Sequence, residues 1–160
     1  MKKDSGLRKM EVTMKGSSCM SNVEFIDTPG YGEITRSRYS YSQALRVGDR
    51  VEISGQGGWD DDQVVSADSV EEEIDLAFGN VERTLQAAGA TWHDVVSVKT
   101  YHVPSREDAI GDDHMSAVVG QFRKRAGKHL PLWTALGVKA LGMPEMRIEV
   151  EVVAIIGAGG

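Results

Sequence analysis

Between about residues 39 and 156 the apolar positions change period in an orderly way, alternating where a strand is expected and recurring every third or fourth residue where a helix is expected. Tyr39–Leu45 and Arg50–Ser54 read as two strands, joined by the turn Val47-Gly48-Asp49 into an antiparallel hairpin. Ser69 is a helix N-cap with Glu72 three residues on. Val70, Ile74, Ala77, Phe78, Val81, Leu85 and Ala88 then fall on one helical face, and Gly89 supplies the left-handed stop. Val95–Val103 alternates again until Pro104 closes it. A second helix is predicted from about Ala109 to Arg125, with Met115, Val118, Val119 and Phe122 inward and Gly127 at its end. Leu132–Lys139 and Met146–Ile156 follow as strands, separated by Gly142-Met143-Pro144. The order is ββαβαββ. Two helices laid on one face of a single sheet cover both apolar faces, which predicts an α+β two-layer sandwich.

Composition narrows the function classes. A chain of 160 residues is one domain by length, and its longest apolar stretch, around Val150–Ile156, is far short of the roughly 20 residues of a membrane span. The net charge of −6 argues against phosphate-backbone binding as the main role, because that affinity needs a basic surface. Cys19 is the single cysteine, so no internal disulfide forms and a reducing, cytoplasmic setting is expected. Residues 1–20 carry five basic side chains against two acids and no apolar run, which suits a flexible arm; organelle targeting by it stays open. Residues 21–156 then form the domain and the Gly-rich 157–160 a flexible tail.

His93, His102, His114 and His129 never take the i, i+4 spacing of a helical metal pair, so no metal site is expected. His102 alternates with Tyr101 and is open to either a cleft or water. Gly55-Gln56-Gly57-Gly58 lacks the Lys and helix start of a phosphate cradle and runs into Trp59 and Asp60-Asp61-Asp62, which repel phosphate. Ser54, at the end of its predicted strand beside Gly55, is placed to offer a hydroxyl and amides to a ligand oxygen. Arg147, Glu149 and Glu151 share one face of the last strand, opposite Ile148, Val150 and Val152. They form either a solvated row or a site in which a glutamate accepts a proton.

Five spaced segments together resemble the YjgF/Rid family, also called the L-PSP endoribonuclease family. They are Tyr41-Ser42-Gln43-Ala44, Val51-Glu52-Ile53-Ser54-Gly55-Gln56, Asn80 through Leu85 to Gly89, Asp94-Val95-Val96-Ser97-Val98-Lys99-Thr100, and Arg147 through Ala154. The resemblance runs from about residue 27 to 156 and implies a chorismate-mutase-like fold, a homotrimer around a central β-barrel, and clefts between subunits. It also implies hydrolysis of reactive enamines or imines to a keto acid and ammonia, without a cofactor. Glu149 would position water, and Tyr41, Ser54 and Gly55 would hold the substrate. The family's carboxylate-gripping arginine does not carry over: counting from Pro131, its place holds Trp133, followed by Thr134 and Ala135. An indole lacks the guanidinium's charge and fork, which implies an altered substrate. Arg147 is a candidate replacement cation, and His114 falls near the family's cleft asparagine. Three readings remain: a Rid-like deaminase, a non-catalytic small-molecule sensor, and a ribonuclease, against which the acidic charge counts.

Overall fold

The alternating C-terminal segment becomes strand β7 (Ile148–Ile155), an inner strand of a mixed sheet. It lies antiparallel between β4 (Arg50–Gly57) and β5 (Val95–His102). The computed structural model describes residues 8–10, 22–106 and 108–159. Among these the remaining strands are β1 (Arg8–Met10), β2 (Val23–Ile26), β3 (Ala44–Val47) and β6 (Leu132–Gly137), in the sheet order β1-β2-β3-β4-β7-β5-β6. Helices α1 (Tyr31–Tyr39), α2 (Val70–Ala87) and α3 (Asp112–Arg125) complete the chain. α3 carries the crossover that the parallel pair β5–β6 requires.

Alternation on β7 sorts the faces. Ile148, Val150, Val152 and Ala154 are buried under α2, while Glu149, Glu151 and Val153 project from the other side. α2 presses Ile74, Phe78, Val81 and Leu85 into this core with no exposed surface. Each such side chain contributes roughly 1.5–3 kcal/mol by its removal from water. Phe78 stacks on Trp92 at 5.2 Å and meets Phe122 of α3 edge-on at 5.7 Å. The Ser69 hydroxyl accepts from the Glu72 amide at 3.1 Å, as the cap requires. The Glu72 carboxylate reaches one residue farther back, accepting from the Asp68 amide at 2.9 Å.

The ββαβαββ order survives as β3-β4-α2-β5-α3-β6-β7, and the structure adds β1, β2 and α1 before it. The expected strand Tyr39–Leu45 is corrected: its first residue ends α1, and pairing begins at Ala44. Helix wins there because Tyr31 and Thr35, four residues apart, are both buried, with the Tyr31 hydroxyl donating to Gln56 Oε1 at 2.6 Å. Ser40 then stops α1 in the left-handed conformation, φ 59°. β4 runs on to Gly57 rather than ending at Ser54. The inward face of α3 is also shifted, with His114, Ala117, Val118 and Gln121 buried while Met115 and Val119 are half-buried. At the C-terminus, the Gly157 amide donates to Asp94 at 2.8 Å and the Ala158 amide to Ile155 at 3.0 Å, so the tail folds back over the 3-10 turn Trp92–Asp94. Of the expected N-terminal arm, residues 8–10 pair with β2, and the rest, with Cys19, lies outside the described residues. Among the described residues no helix is long and apolar enough to cross a membrane.

Candidate functional site

The β4–β7 ladder skips a residue where the candidate site forms. Ile53 pairs with Val152 and Gln56 with Val150, so Ser54 and Gly55 together oppose Glu151 as a β-bulge. The absent side chain of Gly55 is what the bulge uses. A Cβ built there would stand 2.5 Å from the carboxyl carbon of Glu149 and 2.7 Å from its Cγ, so the Glu149 side chain lies directly on the glycine backbone. Burial, and then the neighbouring Glu151 carboxylate, push the Glu149 carboxyl above the usual carboxylate range. Glu149, Gly55, Glu151 and Tyr101 line one cavity of about 430 Å³. Glu151 also borders a larger cavity of about 750 Å³, whose walls include Tyr41, Ser54, Glu52 and Arg36.

The polar groups are individually constrained. Ser54 donates its hydroxyl proton to the Gln43 carbonyl at 3.0 Å and its oxygen accepts from Gln56 Nε2 at 3.4 Å, which leaves one lone pair for a ligand. Tyr41 precedes β3 in a loop, not in a strand, and its phenol is pushed up by burial and by the Glu149 charge. Glu151 accepts from Tyr101 at 2.9 Å and from Lys99 at 3.2 Å. Burial, then the bond to Glu151, push the Tyr101 phenol up as well.

Trp133, Thr134 and Ala135 lie on β6, two strands away from β7. Trp133 pairs with Val98, which pairs with Val152, so its indole shares the helix-covered face, whereas Glu149 pairs with Tyr101 on the opposite face. The two do not meet within one chain. The indole N–H donates to Thr100 Oγ1 at 2.9 Å, and the ring meets Phe122 edge-on at 5.2 Å.

The candidate cation Arg147 bonds to α2 and the loop before it. It precedes the first residue of β7, and its Nε donates to Glu73 at 2.5 Å while Nη2 donates to the Ala67 and Ser69 carbonyls. Glu73 is fully buried and also accepts from the Arg147 amide at 2.7 Å. The glycine run has a packing role here: a Cβ on Gly58 would overlap the Glu73 backbone.

His102 and His114 are buried, their Nδ1 atoms 3.0 Å apart, and His102 Nε2 is 2.8 Å from Thr100 Oγ1. His102 therefore faces neither cleft nor water. Its Nδ1 and that of His114 can share one proton but not hold two. Burial, then the neighbouring His114, bring His102 down to about 4, and burial lowers His114 as well. An unfolded histidine protonates near pH 6.5, so between about 6.5 and 4 the unfolded chain holds the extra proton. Stability from this pair is present above about pH 6.5 and is lost on acidification, by up to about 1.4 kcal/mol per pH unit. Urea midpoints should fall from pH 7 to pH 5, and the His102 ring proton resonance in the folded protein should stay in its neutral position through pH 6; titration near 6.5 would contradict this.

Sequence reasoning missed Tyr101 and the Thr100–His102–His114 chain. Alternation from Lys99 puts Tyr101 on the Glu149 face only once the β5–β7 register is known. Among the described residues no cluster of three metal-ligating side chains occurs.

Comparison with known proteins bears on the family and the fold. A family model described as Endoribonuclease L-PSP matches residues 33–156. RutC family protein YjgH of Escherichia coli K12 is 32% identical over 114 residues, which cover 71% of this chain and 82% of that protein. Among solved structures, RidA from the Antarctic bacterium Psychrobacter sp. PAMC 21119 aligns with TM-score 0.63 and 26% identity, covering 73% of this chain and 89% of that one. A YjgF/YER057c/UK114 family member from Mycobacterium tuberculosis aligns with TM-score 0.66 and 25% identity, covering 84% and 99%.

Proposed function

The chain belongs to the Endoribonuclease L-PSP family, that of the YjgF and RidA proteins, and from this premise we propose that it is a small-molecule hydrolase deaminating a reactive imine or enamine. The observation that carries this is the Glu149 carboxylate, seated on the Gly55 bulge with its pKa raised by burial. A carboxylate of raised pKa is a better base for water than a solvated one. Glu149 accepts a proton from water as the water oxygen bonds to the imine carbon, and the C=N electron pair moves to nitrogen. That nitrogen takes up the proton to give the neutral carbinolamine; a second proton then passes from the carbinolamine hydroxyl to the amino nitrogen as the C–N bond breaks, so that ammonia leaves and C=O forms. Tyr41 and Ser54 border the adjoining cavity and position the substrate.

The working unit is a homotrimer, in which β6 of one copy, carrying Trp133, Thr134 and Ala135, borders the Glu149 face of the next. Exposure of Leu130 just before that edge strand and of Leu132 at its start supports such a contact. Light scattering on the purified chain tests it.

Imines generated in situ by an amino-acid oxidase provide the test of activity. Wild type should accelerate ammonia release, and Glu149→Gln should lower kcat by about 10²–10⁴-fold, the usual contribution of a positioned base. Wild type indistinguishable from buffer would reject the hydrolase. One observation favours a second reading, a non-catalytic binding protein. Trp133 stands where the family's clamp arginine is expected, with its N–H already satisfied by Thr100. Tight ligand binding without turnover would select it. Ribonuclease activity is disfavoured by the charge of −6 and by the burial of His102 and His114.

A further inference from the structure

Building on the hydrolase reading above, we propose that Arg36 is the residue that recognises the substrate's carboxylate, in place of the arginine missing from β6. Three features of the structure carry it. First, Arg36 is the one basic side chain among the described residues lining the larger cavity, where it stands with Tyr41 and Ser54. Second, its guanidinium is 43% exposed and held from one side, Nη1 donating to Asp27 Oδ2 at 2.6 Å. Asp27 is itself largely buried, so it fixes the orientation of the fork while the other N–H groups stay available. A guanidinium held by a buried carboxylate is oriented before the ligand arrives, which reduces the side-chain entropy lost on binding.

Third, the carboxylates on the same wall are balanced from elsewhere. Glu52 accepts from Arg50 at 2.8 Å, and Glu151 accepts from Lys99 and Tyr101. Neither is left to repel an anion unscreened. The alternative cation, Arg147, is committed to Glu73. The ligand class is therefore a small organic acid whose carboxylate meets Arg36 in a bidentate pair, with its reacting carbon toward Tyr41 and the Glu151 wall that this cavity shares with the Glu149 cavity.

The test is an NMR titration of the full chain with 2-oxopentanoate, a keto acid of the product class, and with its uncharged amide. Wild type should bind the acid at least tenfold more tightly than the amide. Arg36→Gln should erase that preference and leave amide binding unchanged, while Arg36→Lys, with a charge but no fork, should retain part of it. Arg36 lies on the surface of a short helix, and thermal unfolding will verify that both variants fold. Equal acid affinity in wild type and Arg36→Gln overturns the assignment, as does a wild type that binds no acid or prefers the amide. Imine turnover is scored separately. If wild type shows an Arg36-dependent preference for the acid but no turnover, the hydrolase reading fails and the carboxylate site stands; turnover with unchanged KM in Arg36→Gln has the opposite meaning.

Discussion

Gly55→Ala is expected to lower turnover by at least about a hundredfold, the cost of moving a catalytic group by roughly an ångström. The added Cβ would stand 2.5 Å from the Glu149 carboxyl carbon, whereas non-bonded carbons settle at about 3.5–4.0 Å. Either the carboxylate swings off the bulge or the strands separate, and overpacking of this kind costs about 1–3 kcal/mol. A double-mutant cycle separates this clash from a general weakness of the bulge. Glu149→Ala removes the group that the new methyl strikes, so Gly55→Ala/Glu149→Ala should match Glu149→Ala in denaturant unfolding within about 0.5 kcal/mol. If Gly55→Ala alone unfolds like wild type, Glu149 is not seated on the glycine. If the double variant pays both penalties in full, the bulge resists any side chain whether Glu149 is present or not.

The same glycine shows how far the amino-acid pattern reaches. Alternation and capping locate β4, α2, β5, α3, β6 and β7, because each has a long period or a strong boundary signal, such as the Ser69 start or the Gly89 and Gly127 stops. α1 escaped because Tyr39 and Tyr41 mimic a strand, while the Tyr31–Thr35 pair that makes it helical gains meaning only from contacts with Gln56 and Thr84 on distant elements. Glu149, Ser54 and Gly55 were visible as candidates, yet the bulge joining them depends on a register between β4 and β7 that no local pattern encodes. Trp133 was visible as an oddity on β6, but not that its face is opposite that of Glu149. The Glu73 partner of Arg147 is hidden from the sequence for a simpler reason. Alternation assigns a face to a backbone position, and a side chain as long as arginine can leave that face when a buried carboxylate such as Glu73 waits beside it.

That carboxylate sets the second large effect. Glu73 has no exposed surface, whereas Arg147 keeps about a third of its own, so the two halves of the pair are not equivalent. Arg147→Met strands a buried negative charge whose remaining partner is the Arg147 amide, and should cost about 3–5 kcal/mol. Glu73→Gln keeps an acceptor for that amide and lets the guanidinium turn to water while still bonding the Ala67 and Ser69 carbonyls, so it should cost less, about 1–2 kcal/mol. Combining them should recover stability relative to Arg147→Met alone, since no buried charge remains. Equilibrium unfolding in urea reads all three values. The pair also fastens the start of β7 to α2 two residues before Glu149, so Arg147→Met should reduce kcat in proportion to how far Glu149 shifts, while the acid-over-amide binding preference set by Arg36 persists. An Arg147 variant that unfolds like wild type but loses acid binding would reverse the assignment, placing Arg147 in the cleft and the structural role elsewhere.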